Sequence, residues 1–258
     1  MSLPRLVGMI HLEPLPGAPG YCGSMDAILD RARIDAEAIA AAGFDGIMVE
    51  NFGDAPFFTD DAPKVTIAAM ARAVTEVAAV GLPTGVNVLR NDGLGALAVA
   101  AATGAQFIRI NVLSGTMYTD QGPIVGSAAL VARARRELCP DVAIMADVFV
   151  KHATPPAGLT LVDATNDLVE RAGADAVIVS GAGTGAATSL DDLKTVADLS
   201  HLPVFVGSGA TAATIRDILA IGDGAIVGSD TKVDGIATNA VDPERAVAVV
   251  QAAAGHRT

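Results

Sequence analysis

The sequence predicts a single (β/α)8 barrel spanning residues 1–258, and three observations carry this prediction. The chain has 258 residues, close to the length of about 250 that is typical of this fold. Eight short apolar runs alternate with amphipathic, alanine-rich segments. A proline precedes four of the runs and a glycine precedes the other four, in strict alternation along the chain. A doubly wound sheet is the alternative, but it explains neither the number of runs nor their alternation.

The eight runs are predicted to be parallel strands, because they are continuously apolar, as strands buried on both faces of a sheet are. A proline just before a strand loses no needed hydrogen bond, since its missing N–H lies outside the ladder. A glycine just before a strand is expected at the end of the preceding helix, where φ is often positive. In chain order the predicted strands are RLVGMIH, FDGIMVEN, TGVNV, AQFIRIN, DVAIMADV, ADAVIVSG, VFVGSG and DGAIVGS, and the four glycines are Gly43, Gly104, Gly173 and Gly222.

The segments between the strands carry helix-start signals. Ser24 precedes a long amphipathic segment, and Ser189 precedes another with Asp192 three residues later. Asp242 is followed by Pro243, a capping residue with proline at the first helical position. Side chains of this kind accept hydrogen bonds from the free N–H groups of a first helical turn. We therefore predict that helices begin directly after Ser24, Ser189 and Asp242.

Composition narrows the function classes. The formal net charge is -12, and nucleic-acid binding is not expected because phosphate backbones require clustered lysine and arginine. Cys22 and Cys139 are far apart and match no metal or redox motif. The amino-terminal residues lack the apolar run of a signal peptide, and the alanine-rich stretches are too short to span a bilayer. We expect a cytoplasmic protein without membrane insertion, and a homo-oligomer because 51% of residues are hydrophobic.

Polar residues collect at the carboxyl ends of the predicted strands, where (β/α)8 enzymes carry their active sites. Side chains alternate along a strand, so Glu50 shares a face with Met48, Arg109 with Asn111, and Asp147 with Met145. Asn51 then points to the helix layer or the following loop. The catalytic candidates are Glu50, Asp147 and His11, and the substrate-binding candidates are Asn87, Arg109, Asn111, Lys151 and His152.

Several of these residues have plain structural alternatives. Arg109 could be the buried counterion of Glu50 or Asp147, and His11 could be a core histidine bonded to backbone. Lys151 and His152 could be solvated loop residues. His11, Glu50 and Asp147 could also hold a divalent metal ion, although no metal-binding spacing supports one, so metal and cofactor stay open.

Glycine-rich segments follow the last three predicted strands and predict a phosphate site. They are SGAGTGAATS (180–189), VGSGATAAT (206–214) and IVGSD (226–230). Glycine lets backbone N–H groups approach an anion, and a helix starting near Thr211 would add its amino terminus. Tight connecting turns are the alternative. The expected phosphate-binding residues are Gly181, Gly183, Thr184, Gly207, Ser208, Gly209, Gly228 and Ser229.

The sequence resembles the BtpA/SgcQ family over essentially its whole length. The matching segments are VGMIHLEPLPGAPGY, VENFGDAPF, GVNVLRND, FIRIN, TDQG, ADVFVKHATP, VGSGAT and IVGSD. The resemblance implies a (β/α)8 barrel related to the ribulose-phosphate-binding barrels. The cyanobacterial namesake of the family is implicated in photosystem I biogenesis, and other members lie in sugar-metabolism gene clusters.

Together these observations predict an enzyme that acts on a small phosphorylated sugar or nucleoside-like metabolite. Glu50 and Asp147 are expected to divide acid and base roles. Isomerisation, carbon–carbon cleavage and glycosidic cleavage stay open, as does a Schiff base on Lys151. The alternative is a non-enzymatic protein of membrane-complex or photosystem I biogenesis, or a regulator, that senses a phosphorylated ligand.

Overall fold

The computed structural model describes residues 3–181 and 188–255, and eight parallel strands in these ranges close into a barrel. Each predicted strand is confirmed. Three further short strands, β5, β6 and β8, form a separate antiparallel sheet. The strands are β1 Leu6–His11, β2 Gly46–Glu50, β3 Thr84–Asn87, β4 Phe107–Ile110, β5 Thr116–Thr119, β6 Gly122–Val125, β7 Ala143–Asp147, β8 Ala153–Thr154, β9 Ala176–Val179, β10 Val204–Val206 and β11 Gly224–Val227.

Helices follow the barrel strands in the described ranges, and none of these helices is both long and apolar enough to cross a membrane. Ser24, Ser189 and Asp242 accept hydrogen bonds from the first turns of α1, α6 and α8, which confirms the three predicted starts. The helices are α1 Met25–Ala42, α2 Lys64–Ala78, α3 Gly93–Thr103, α4 Ala128–Leu138, α5 Leu161–Asp167, α6 Leu190–Leu199, α7 Ile215–Leu219 and α8 Pro243–Ala254. Leu168–Ala172 continues α5 as a π-helical turn.

Two expectations about helix ends need correction. Gly43, Gly104 and Gly173 have the predicted positive φ, but Gly222 does not. Its N–H instead bonds the carbonyl of Ile218, which extends the last turn of a short helix. The helix expected near Thr211 begins only at Ile215. The physical reason is that the hydroxyls of Thr211 and Thr214 bond each other's backbone N–H, which forms a turn before the helix.

The core has two layers, as a barrel requires. Met48 and Met145 lie in the interior cluster, and Ile108 and Ile110 lie in the outer cluster beneath the helices. This distribution confirms the predicted strand register. The interior cluster is completely apolar and comprises Val7, Met9, Met48, Phe107, Met145, Ala176, Ile178, Phe205 and Ile226. Polar side chains of the same strands therefore occur only above this layer, toward the carboxyl ends.

The small sheet β6–β5–β8 was not predicted. It joins a hairpin after β4 to the segment after β7, with Tyr118 opposite Thr154 and Thr119 opposite Ala153. Its buried side chains Met117 and Ile124 pack with Val112 and Val150 in a small apolar cluster. Because β8 follows Lys151 and His152 directly, this pairing sets the position of both residues at the barrel mouth.

Candidate active site

A cavity of about 180 Å³ opens at the carboxyl ends of the barrel strands. It brings together nine of the residues predicted from the sequence: His11, Glu50, Arg109, Lys151, Gly207, Ser208, Gly209, Gly228 and Ser229. Among the described residues, the lining also includes Met9, Ala210, Thr211, Ile226, Asp230 and Gly235. The cavity therefore joins two of the three catalytic candidates, His11 and Glu50, to two of the expected phosphate loops.

Glu50 is a buried carboxylate at the end of β2, in register between His11 of β1 and Asn87 of β3. No hydrogen-bond donor among the described residues reaches its side chain. Nε2 of His11 lies 3.8 Å from its Oε1. A buried carboxylate without donors is costly, and this cost favours a ligand or water that donates to it.

His11 is held as a neutral imidazole with a fixed tautomer. Its Nδ1 lies 2.8 Å from the carbonyl oxygen of Ala237, which can only accept, so Nδ1 carries the proton. Burial, and next the positive charge of Lys232, lower the pKa of His11 to about 3. The ring also packs on Phe52 at a centroid distance of 4.4 Å. The lone pair of Nε2 is therefore left on the side of Glu50.

Arg109 and Asp147 form a buried bidentate ion pair inside the barrel. Nε and Nη2 of Arg109 each lie 2.8 Å from an oxygen of Asp147. The Ser180 hydroxyl donates to the same carboxylate at 2.8 Å. Burial alone would lower the pKa of Arg109, but the facing carboxylate raises it above the usual value. Of the alternatives left open by the sequence, the geometry gives Arg109 as counterion of Asp147.

Asn87 and Asn111 lie in the same polar layer beneath the cavity. Nδ2 of Asn87 donates to the carbonyl of Arg109 at 3.1 Å and to Oδ1 of Asn111 at 3.2 Å. Nδ2 of Asn111 reaches Asp147 at 3.4 Å. Neither asparagine nor Asp147 lines the cavity. These three residues support Arg109 from below, and their expected contact with substrate stays a prediction. Asn51 points into the next loop, as expected, and bonds the backbone of Leu89.

Lys151 reaches the cavity from the loop after β7. Burial lowers the pKa of its amine, and the negative charge of Glu50 partly offsets this. Its Nζ has no hydrogen-bond acceptor within residues 3–181 and 188–255. The following residue, His152, has a left-handed backbone with φ 56 and lines a neighbouring cavity. Lys151 lines the cavity, so the alternative of a fully solvated loop residue does not hold for it, whereas His152 is exposed beside the neighbouring cavity.

Two backbone loops offer free N–H groups to the cavity. The N–H groups of Ser208, Gly209 and Ala210 donate to no protein group in the described ranges. The N–H groups of Ser229 and Asp230 also donate to no protein group there. All five residues line the cavity. Gly209 has φ 74, a conformation that other residues rarely adopt. Free N–H groups around one space can bind an anion.

The other predicted phosphate residues have different outcomes. Gly181 lies behind the cavity lining, and its N–H donates to the Ser208 hydroxyl at 3.0 Å. Gly183 and Thr184 lie outside the described residues. Asp230 puts a carboxylate in the lining, but Arg245 pairs with it at 3.1 Å and the N–H of Ala212 donates to it. Both oxygens of the Asp230 carboxylate are therefore engaged by other groups of the protein.

The open metal alternative finds no support in the part of the chain that is described. No group of three histidine, cysteine, aspartate or glutamate side chains converges there as a metal site. Asp147 is engaged by Arg109 and Ser180, so it does not join His11 and Glu50 as a ligand.

Sequence reasoning did not select Arg90, Ala210 or Asp230 as site residues. Arg90 is buried three positions beyond β3, and its Nη2 donates to the carbonyl of Lys151 at 2.6 Å. Burial lowers its pKa, while Asp147 and Glu50 raise it. The signal for Arg90 was its place just after a strand end. The N–H groups of Ala210 and Asp230 have no signal in residue type, because every residue except proline carries one.

The chain is similar to known proteins in both sequence and structure. A family model described as the BtpA family matches residues 4–255. The photosystem I biogenesis protein BtpA of Synechocystis is 45% identical over 96% of this chain and 88% of its own length. Among solved structures, thiamine phosphate pyrophosphorylase of Pyrococcus furiosus has a TM-score of 0.60 at 16% identity, covering 98% of this chain and 97% of its own. N-(5′-phosphoribosyl)anthranilate isomerase of the same organism has a TM-score of 0.58 at 14% identity, covering 97% and 99%. At these identities the structural likeness confirms the (β/α)8 fold.

Proposed function

The chain belongs to the BtpA family, and on this premise we propose that it is an enzyme acting on a small phosphorylated metabolite. The observation that carries the proposal is one cavity that contains both a donor-free carboxylate, Glu50, and two loops with free N–H groups. The carboxylate suits proton transfer, and the loops with free N–H groups suit phosphate binding. Two proteins of like fold are named for phosphorylated compounds, which supports the same class of ligand.

The phosphate is assigned to the loops after β10 and β11. Ser208, Gly209, Ala210, Ser229 and Asp230 supply N–H donors, whose partial positive charges suit an anion. The amine of Lys151 lines the same cavity and adds a positive charge. Backbone donors hold a phosphate without a flexible side chain, so the rest of the substrate is kept at a fixed distance from Glu50.

Glu50 is assigned as the general acid or base. It is buried, lacks donors and faces the lone pair of His11 across 3.8 Å. A substrate hydroxyl that donates its hydrogen bond to Glu50 could pass that proton to the carboxylate. Asp147, expected as a second acid–base group, is proposed instead to hold Arg109 in position. Arg109 reaches the cavity and would stabilise negative charge that develops on the substrate.

This arrangement serves reactions in which a proton is taken from, or given to, an oxygen or carbon atom of a phosphorylated substrate. Isomerisation, carbon–carbon cleavage and glycosidic hydrolysis are all of this kind. Lys151 has a lowered amine pKa, so a Schiff base stays an option within the lyase class. A sugar phosphate and a nucleoside-like phosphate are the two proposed substrate classes, and a cytoplasmic location is proposed with them.

The test is a thermal-shift screen of phosphorylated metabolites, followed by mass spectrometry of products from the compounds that stabilise the protein. For a compound that is turned over, Glu50→Gln should keep binding but lose activity by about 100-fold or more. Glu37→Gln, an exposed change on α1, is the matched control and should keep full activity. Unchanged turnover in Glu50→Gln would remove Glu50 from the chemistry.

A second candidate function is that of a non-enzymatic assembly or regulatory protein. The name of the Synechocystis relative, a photosystem I biogenesis protein, favours it. The same screen separates the two proposals. Stabilisation by a phosphorylated compound without any product would favour a sensor, whereas stabilisation with turnover favours the enzyme.

A further inference from the structure

We propose that the ligand of this site has two parts, and that the second part is a nucleobase-like ring held in a separate cavity beside Glu50. This inference rests on the proposed function, because it takes the phosphate to lie on the loops after β10 and β11. It chooses the nucleoside-like class over a bare sugar phosphate.

The second cavity measures about 400 Å³ and adjoins the first. Glu50 and Lys151 line both cavities, so these two residues stand at their junction. The outer walls of the second cavity come from the loop after β2, the loop after β3 and the tip of the β5–β6 hairpin. A compound whose phosphate fills the first cavity could therefore extend past Glu50 into the second.

The walls of this cavity suit a flat ring. Phe52 and Phe57 contribute aromatic side chains, and Leu89 contributes an aliphatic one. Phe52 is fixed by its contact with the His11 ring at 4.4 Å. Aromatic side chains pack well against planar unsaturated rings. In the described ranges, glycines line the first cavity but not this one.

The polar groups of the second cavity can form hydrogen bonds with a ring that carries both an acceptor and a donor. Arg90 is buried and uses only Nη2 within the described residues, on the carbonyl of Lys151. Its other N–H groups are available to a carbonyl oxygen. Asp120, which holds the Gln121 amide at 2.6 Å, adds a carboxylate that accepts from a ring N–H. Nucleobases such as uracil carry carbonyl and N–H groups side by side.

The test uses isothermal titration calorimetry with four probes: inorganic phosphate, ribose 5-phosphate, uridine and uridine 5′-monophosphate. We expect uridine 5′-monophosphate to bind at least about fivefold more tightly than ribose 5-phosphate, since stacking of one base contributes at least this much. Phe57→Ala should remove the difference and leave the affinity for ribose 5-phosphate unchanged. Arg90→Gln should lower the affinity for uridine 5′-monophosphate more than that for ribose 5-phosphate, because Arg90 also holds the Lys151 backbone.

Phe58→Ala is the matched control, because Phe58 is the next residue but is 61% exposed and lies outside the second cavity. It should change neither affinity. Should Arg90→Gln fail to fold by circular dichroism, Phe57→Ala alone decides.

The outcomes separate this inference from the proposed function. Equal affinity for ribose 5-phosphate and uridine 5′-monophosphate, or a loss on Phe58→Ala equal to that on Phe57→Ala, overturns the ring cavity and leaves the phosphate site standing. Binding of uridine without any binding of phosphate or ribose 5-phosphate supports the ring cavity and removes the phosphate site. Absence of binding by all four probes overturns both.

Discussion

At the scale of single residues, the site depends on two acceptors that face each other, the Glu50 carboxylate and Nε2 of His11. Their separation of 3.8 Å leaves no hydrogen bond between them. The histidine stays neutral because burial and nearby positive charge oppose its protonation. A neutral His11 cannot neutralise Glu50, so the carboxylate stays available to a donor on the substrate.

The first prediction concerns the protonation of His11. We expect its imidazole to stay neutral with the proton on Nδ1 until the pH approaches about 3. Nitrogen-15 NMR of the side chain, assigned with His11→Asn, measures this directly, with a histidine-containing peptide as the reference. A titration midpoint near the ordinary value of 6.5 would contradict the neutral assignment.

The same shift has a consequence for stability. Between pH 6.5 and about 3 the unfolded chain binds a proton at His11 that the folded chain does not. The free energy of unfolding therefore falls as the pH drops through this window, and the contribution of His11 is fully present above it. In His11→Asn the pH dependence of urea unfolding should be weaker over this range than in the unchanged protein.

At the scale of elements, the Arg109–Asp147 pair ties several barrel strands together. Arg109 belongs to β4 and Asp147 to the neighbouring β7, while Ser180 follows β9 and Gly207 follows β10. Arg109 contacts groups from all of these segments. The pair lies above the apolar interior, so it forms a polar floor under the cavity.

The second prediction tests this floor. Asp147→Asn leaves the Arg109 guanidinium buried without its counterion, which should cost about 3–5 kcal/mol in the free energy of unfolding. Urea denaturation followed by circular dichroism measures the change. Glu37→Gln removes an exposed pair with Arg33 and should cost about 1 kcal/mol or less. A loss for Asp147→Asn as small as the control would mean that the ion pair does not support the barrel.

At the scale of the whole molecule, one end of the barrel carries both cavities, while apolar side chains are exposed on neighbouring helices. Val65 on α2, Leu94 on α3 and Leu130 on α4 are 45%, 44% and 60% exposed. Exposed apolar groups on adjacent helices are typical of contacts between subunits. The homo-oligomer expected from composition stays a prediction, and these helices are where we expect its interface.

The third prediction is therefore that Leu130→Glu shifts the protein toward the monomer. A buried glutamate in an apolar contact is unfavourable, whereas Leu130 is exposed within the single chain and its replacement should leave the fold intact. Size-exclusion chromatography with light scattering measures the mass. Val125→Glu, at a position that is 64% exposed on β6, is the control and should not change it. A monomeric mass for the unchanged protein would refute the oligomer itself.

Much of the fold could be predicted because its signals are local. The run before Glu50 is continuously apolar, and Asp242 with Pro243 marks the start of α8. Strand alternation then placed Glu50 on the same face as Met48. It placed Arg109 on the face opposite to Ile108. The small sheet escaped because β8 has only two residues, and its pairing with β5 depends on contacts across the chain.

The sequence by itself determined the barrel, the face on which Glu50, Arg109 and Asp147 lie, and the glycine loops that end its last strands. These features follow from periodicity and from residue type, which act between neighbours along the chain. Only the tertiary structure decided that Arg109 pairs with Asp147 rather than Glu50, that Ala237 fixes the tautomer of His11, and that Arg90 turns toward Lys151. Each of these contacts joins segments far apart in the chain, so closure of the barrel alone brings the partners within hydrogen-bond distance.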